Sequence, residues 1–82
     1  MNHKLKIQSP YWEAVKCGDK QFEIRYDRDR CFQKGDIVEL IHVDEVGCDM
    51  MESITVEITY VCHYEQKENY CVFGFEIKEI NE

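Results

Sequence analysis

Gly18-Asp19-Lys20-Gln21-Phe22-Glu23-Ile24-Arg25 runs directly into Tyr26-Asp27-Arg28-Asp29-Arg30. Phe22 and Ile24 alternate with Glu23 and Arg25, the period-2 pattern of a strand with one dry face and one wet face. On this reading Phe22 and Ile24 enter the core, while Glu23 and Arg25 point together into solvent. Gly18 ends a preceding helix, and Lys20, at the mouth of the strand, swings over the exposed face. A cation, an anion and a second cation thus converge on one patch. That composition suits a polar, partly anionic ligand such as a nucleotide, because arginine presents a planar fork and glutamate a pair of acceptors. Taken alone, a Glu-x-Arg pair on a solvated strand is also ordinary, contributes only about 0–1 kcal/mol and signals no function.

Upstream, Lys4-Leu5-Lys6-Ile7 alternates charged and apolar residues and reads as a first strand with both lysines outward. Ser9-Pro10 then opens a helix, serine as N-cap and proline at the first helical position. Tyr11, Ala14, Val15 and Gly18 fall on one stripe of that helix, over residues 10–17. Trp12 lies beside the stripe, either as a core anchor, which its apolar area favours, or as a lip of the ligand cleft.

Downstream, Asp27-Arg28-Asp29-Arg30 is a mixed-charge loop, either a plain solvated turn or an edge that contacts phosphate. Gln33-Lys34-Gly35-Asp36 is turn chemistry before a buried strand, Ile37–Val43, in which His42 reads as a hydrogen-bonded structural histidine. Residues 44–52 form an acidic loop without the carboxylate order of a calcium site. From Ile54 the alternation places Ile54, Val56, Ile58, Tyr60, Cys62 and Tyr64 inward. Tyr70–Ile80 is the last strand, with Phe73, Phe75 and Ile77 on one face and Gly74 marking a bulge or a close backbone approach. Phe22, Ile24, Ile37, Ile58, Tyr60, Phe73 and Phe75 are expected to share one core. The fold class is mainly β with α: five strands and one short helix after the first strand, most simply a curled five-stranded barrel over residues 1–82. An OB-type barrel is the rival, disfavoured by where the helix falls.

Eighty-two residues make one small domain, and 44% hydrophobic with 12% aromatic residues suffice for a single core. With no apolar run of signal-peptide or membrane-span length, the protein is expected in the cytoplasm with no membrane partner. Five cysteines, odd in number and without a C-x-x-C pair, read as buried or half-buried free thiols rather than disulfides or a zinc site. No cofactor and no metal are expected. The net charge of −7 is unevenly spread. Residues 1–34 carry eight basic against five acidic side chains, and residues 35–82 two against twelve. That distribution argues against a duplex DNA footprint and leaves room for one nucleotide or a short single strand. The acidic half also supplies a surface for a protein partner, or simply keeps a monomeric domain soluble.

The pattern Gly18-x-Lys20-x-x-Glu23-x-Arg25 resembles the G-x-K-x-x-E-x-R signature of ASCH domains, small barrels of the PUA-like superfamily. The resemblance extends through His3-Lys4-Leu5-Lys6-Ile7, Pro10-Tyr11-Trp12-x-Ala14-Val15, Asp27-Arg28, Gly35-Asp36 and Tyr70-x-Val72-x-Gly74, and is to the stand-alone ASCH-like proteins of bacteria and phages. It implies a PUA-like barrel that binds RNA, a nucleotide or a nucleoside in a cleft between helix and barrel. The ligand-binding residues would be Gly18, Lys20, Glu23, Arg25, Arg28 and Trp12. Lys20 would meet a phosphate or base carbonyl, Arg25 would bond to or stack on a base, and Glu23 would accept from an exocyclic amine or orient Arg25. Some small ASCH-type proteins are amidohydrolases acting on N4-acetylcytidine, which makes Lys20 and Glu23 catalytic candidates. Here Glu23 stands where that group has its threonine, and the later glutamate aligns with neither Glu57 nor Glu65 securely.

Overall fold

The computed structural model describes residues 2–26, 30–64 and 66–82. Chain order is β1 (Asn2–Gln8), α1 (Ser9–Lys16), β2 (Phe22–Tyr26), β3 (Ile37–Val43), β4 (Asp49–Cys62) and β5 (Tyr70–Asn81). The strands form one sheet in the order β1-β3-β4-β5-β2. Among the described residues only β1 and β3 pair in parallel; the other three pairs are antiparallel. The crossover that a parallel pair requires is supplied by α1 and β2. The domain is mainly β with one short helix, and its curled sheet is a half-barrel. The expected closed barrel is not formed: β1 and β2 remain edge strands, with no backbone ladder joining them.

β1 follows its pattern, His3, Leu5 and Ile7 buried and the lysines outward. It passes into α1 without a turn. Gln8, still extended at ψ 158°, is the N-cap, and Pro10 sits in the first turn, where its missing N–H is harmless. Ser9 is therefore not the cap; its hydroxyl bonds to His42 instead. The helix buries Trp12 and Val15 and leaves Tyr11 outside. The helical stripe is rotated toward the indole, the largest apolar surface available. Trp12 is 1% exposed and stacks on His42 at 4.4 Å. α1 ends at Gly18, whose φ of +85° suits glycine and whose N–H reaches the Val15 carbonyl at 3.0 Å.

β2 reverses its expected orientation. Phe22 and Ile24 are 46% and 55% exposed, whereas Glu23 is 3% exposed on the inner face. Register explains the reversal. Glu23 pairs with Phe73 and Arg25 with Cys71, both buried, so the charged residues share the inner face. A second correction follows in β4. Ile54, Val56 and Ile58 are buried, but between Ile58↔Phe75 and Tyr60↔Gly74 the register slips and leaves Thr59 unmatched. That bulge flips the phase, turning Tyr60 outward and Val61 toward the core. Another slip, around Lys78, leaves Ile77 partly exposed. The core is thus Leu5, Ile7, Trp12, Val15, Phe32, Val38, Leu40, Ile54, Val56, Ile58, Cys71, Phe73 and Phe75. Ile37 is only half-buried. β4 begins at Asp49, which shortens the expected acidic loop. Cys17, Cys31 and Cys48 are exposed rather than buried, since each lies in a connection between elements; none of the five cysteines is in a disulfide.

Candidate functional site

Where the sheet stops short of closing, the gap between β1 and β2 is spanned by side chains. Arg25 Nη2 donates to the Lys6 carbonyl at 2.9 Å, and Arg30 Nη1 to the Lys4 carbonyl at 3.2 Å. Glu23 sits beneath this seam. Its carboxylate accepts from Arg25 Nε at 2.8 Å on one oxygen and is ion-paired with Lys20 Nζ on the other. The turn after Gly18 delivers Lys20: its N–H returns to the Ala14 carbonyl at 3.0 Å, and Gln21 Nε2 bonds to the Gly18 carbonyl. Nζ then lies over the rings of Tyr11 at 5.0 Å and Phe22 at 5.8 Å, within cation–π range.

Together these residues line an open cleft of about 240 Å³ with Ile7, Tyr11 and Ile24 as its apolar walls. One carboxylate faces two cations, so the cleft is locally positive in an acidic protein. The carboxylate is desolvated, whereas Lys20 and Arg25 keep 19% and 28% of their side-chain surface in water. An anionic or carbonyl-bearing ligand can therefore reach both cations without dislodging Glu23.

The structure brings Lys20, Glu23 and Arg25 together. Gly18 lines a second, smaller cleft on the far side of Lys20 with Phe75 and Ile77. Trp12 is in the core and does not line the cleft. Arg28 lies outside the described residues, as does Glu65. Glu57 pairs in register with Glu76 and lies 3.7 Å from Lys78, outside the cleft lining. Ile7, Tyr11 and Ile24 are cleft residues that sequence reasoning missed, and for Tyr11 a signal was present. Its signal was position: one stripe away from Trp12, it has to face outward once the indole takes the core. Among the described residues no group of three or more His, Cys, Asp or Glu is arranged to hold a metal ion, and no helix is long and apolar enough to cross a membrane.

The fold and site define a small half-barrel domain with a charged cleft at its open seam. The chain belongs to the DUF3850 family, described as a domain of unknown function, whose family model matches residues 2–75. No curated protein matches the chain.

Proposed function

We propose that the seam cleft binds one base or nucleotide, either free or within a short single-stranded RNA, as the resemblance to ASCH domains of the PUA-like superfamily suggests. The supporting observation is the buried Glu23 carboxylate held between two partly exposed cations beside the exposed ring of Tyr11. Arg25 offers a planar donor face, Lys20 a compact positive charge, Glu23 an acceptor and Tyr11 a stacking surface, the set that single-stranded nucleic-acid sites combine. Ligand sites for drug-sized molecules run to roughly 300–1,000 Å³. The smaller cleft suits a single base better than a longer segment.

Binding ranks above hydrolysis of an acylated base. Lys20 and Glu23 neutralise one another at rest, so neither stands as an unpaired group poised to activate a water or to meet a developing oxyanion. Titration with nucleosides, nucleotides and short RNA is expected to give salt-dependent binding that Lys20→Ala combined with Arg25→Ala removes. Binding unchanged in that double variant, or no binding at all, refutes the reading. Cytidine release from N4-acetylcytidine above a Lys20→Ala control would reinstate the hydrolase.

A further inference from the structure

A second constellation lies where β1 turns into α1. Ser9 Oγ is 2.7 Å from His42 Nε2, and His42 Nδ1 is 3.0 Å from Glu52 Oε1. A carboxylate only accepts, so the Nδ1 proton is donated to Glu52. In the neutral imidazole the Nε2 lone pair then faces the serine hydroxyl. The imidazole is buried and held flat against the Trp12 indole, with an interplanar angle of 8°. Nucleophile, base and orienting carboxylate thus stand in hydrogen-bonded sequence, with the ring plane fixed by packing.

Access and charge stabilisation are also present. Ser9 is half-buried and lines an open cleft of about 670 Å³ with Gln8, Pro10, Asp44, Glu45 and Val46. Among the described residues no side-chain hydrogen bond caps the start of α1, and the N–H groups of its first turn, that of Tyr11 among them, have no acceptor within the helix. They offer donors beside Ser9 for a developing oxyanion.

We propose that Ser9, His42 and Glu52 form a nucleophilic acyl-transfer site that cleaves carboxylic esters. Ser9 Oγ attacks the ester carbonyl carbon as its proton passes to His42 Nε2. The C–O bond to the leaving alcohol then breaks, and that alcohol takes the proton from Nε2. Water, deprotonated by Nε2, attacks the acyl-serine; the carboxylic acid leaves and the proton returns to Ser9. Ser9 and His42 are the catalytic residues and Glu52 a positioning residue. The cleft lining carries Asp44 and Glu45 and no cation, which favours neutral or cationic esters over phosphorylated ones.

The full chain treated with a fluorophosphonate is expected to gain one covalent adduct, mapped by mass spectrometry to Ser9. The adduct should be absent after denaturation and formed at least about 100-fold more slowly in His42→Gln, the scale of a lost general base. Glu52→Leu is expected to slow labelling and to move the His42 proton from Nδ1 to Nε2, read from the ring ¹⁵N shifts. p-Nitrophenyl acetate turnover should fall to background in Ser9→Ala. A folded wild-type protein with no Ser9 adduct, or one labelled equally fast in His42→Gln, overturns the proposal and leaves the three residues as a strap between helix and sheet.

Discussion

Replacing Glu23 by alanine tests the reversed orientation of β2 more sharply than any core substitution. The Glu23 side chain is 5% exposed and joins Lys20 to Arg25. Its removal leaves two cations facing each other at the seam with nothing between them. Breaking a buried ion pair by deleting one partner costs about 3–5 kcal/mol. Both cations keep some access to water, which reduces the cost to about 2–3 kcal/mol here. In a domain of this length that is a fall in melting temperature of roughly 10–20 °C. Ile24, the next residue, is more than half exposed, and Ile24→Ala removes only a part-buried side chain, about 1 kcal/mol or less. Urea unfolding of both variants at neutral pH gives the comparison directly. If Ile24→Ala costs more than Glu23→Ala, then Ile24 faces the core, and the site built on Glu23 falls with the register.

Asp36 provides a pH-dependent test. Burial pushes its carboxyl up, but hydrogen bonds from His3 at 2.8 Å and from the Gln33 N–H at 3.0 Å outweigh burial and hold it below the ordinary carboxylate value. A lowered native value stabilises the fold above the unfolded carboxylate range, near about pH 4, and that contribution disappears as pH falls through the native value. Asp36→Asn should therefore cost about 1–3 kcal/mol at neutral pH, with the gap to wild type narrowing in acid; a gap constant from pH 7 to pH 2 would contradict this. Gly18→Ala places a Cβ at φ +85° and should cost about 1–2 kcal/mol by thermal melting, although no atom lies within 4 Å of that Cβ. An unchanged midpoint would mean that α1 ends in some other conformation.

The inventory of elements was legible because it rests on local patterns: alternation in β1, β4 and β5, a mostly apolar run in β3, a glycine ending α1, and Gly35 opening β3. Facing directions were legible only where no register slip intervened. The bulge at Thr59 turned Tyr60 outward, and periodicity carried across a bulge has to fail there. β2 misled for another reason. Five residues alternating apolar with charged support either orientation, and hydrophobicity favours the wrong one. What decides is the pairing of Glu23 with Phe73 across β5, a contact 50 residues away in sequence. Phe32 was equally unreadable. It lies outside every strand and helix, yet packs between the rings of His3 at 4.7 Å and Phe73 at 4.9 Å. The polar line through Ser9, His42 and Glu52 likewise joins three elements and has no local signature.

The location of the Lys20–Glu23–Arg25 group follows from the incomplete closure of the sheet. Had β2 met β1 in a backbone ladder, the Lys4 and Lys6 carbonyls would have bonded to main-chain N–H groups, and the inner face of β2 would have been sealed from water. A glutamate and an arginine in that position would then have borne the full desolvation cost of buried charge, which good pairing alone often fails to offset. With the ladder missing, the edge carbonyls of β1 still need donors. Arginine supplies them at Lys6, reaching across from β2 while its Nε holds Glu23. One guanidinium thus satisfies the Lys6 carbonyl of the edge strand, shares with Lys20 the neutralisation of the buried carboxylate and keeps part of its surface in the cleft. Lysine at position 25 would have too few fixed donors to do this, so Arg25→Lys should weaken both the seam and ligand binding even though charge is conserved. Equal stability and equal affinity in Arg25→Lys would show that the seam is held by something other than this guanidinium.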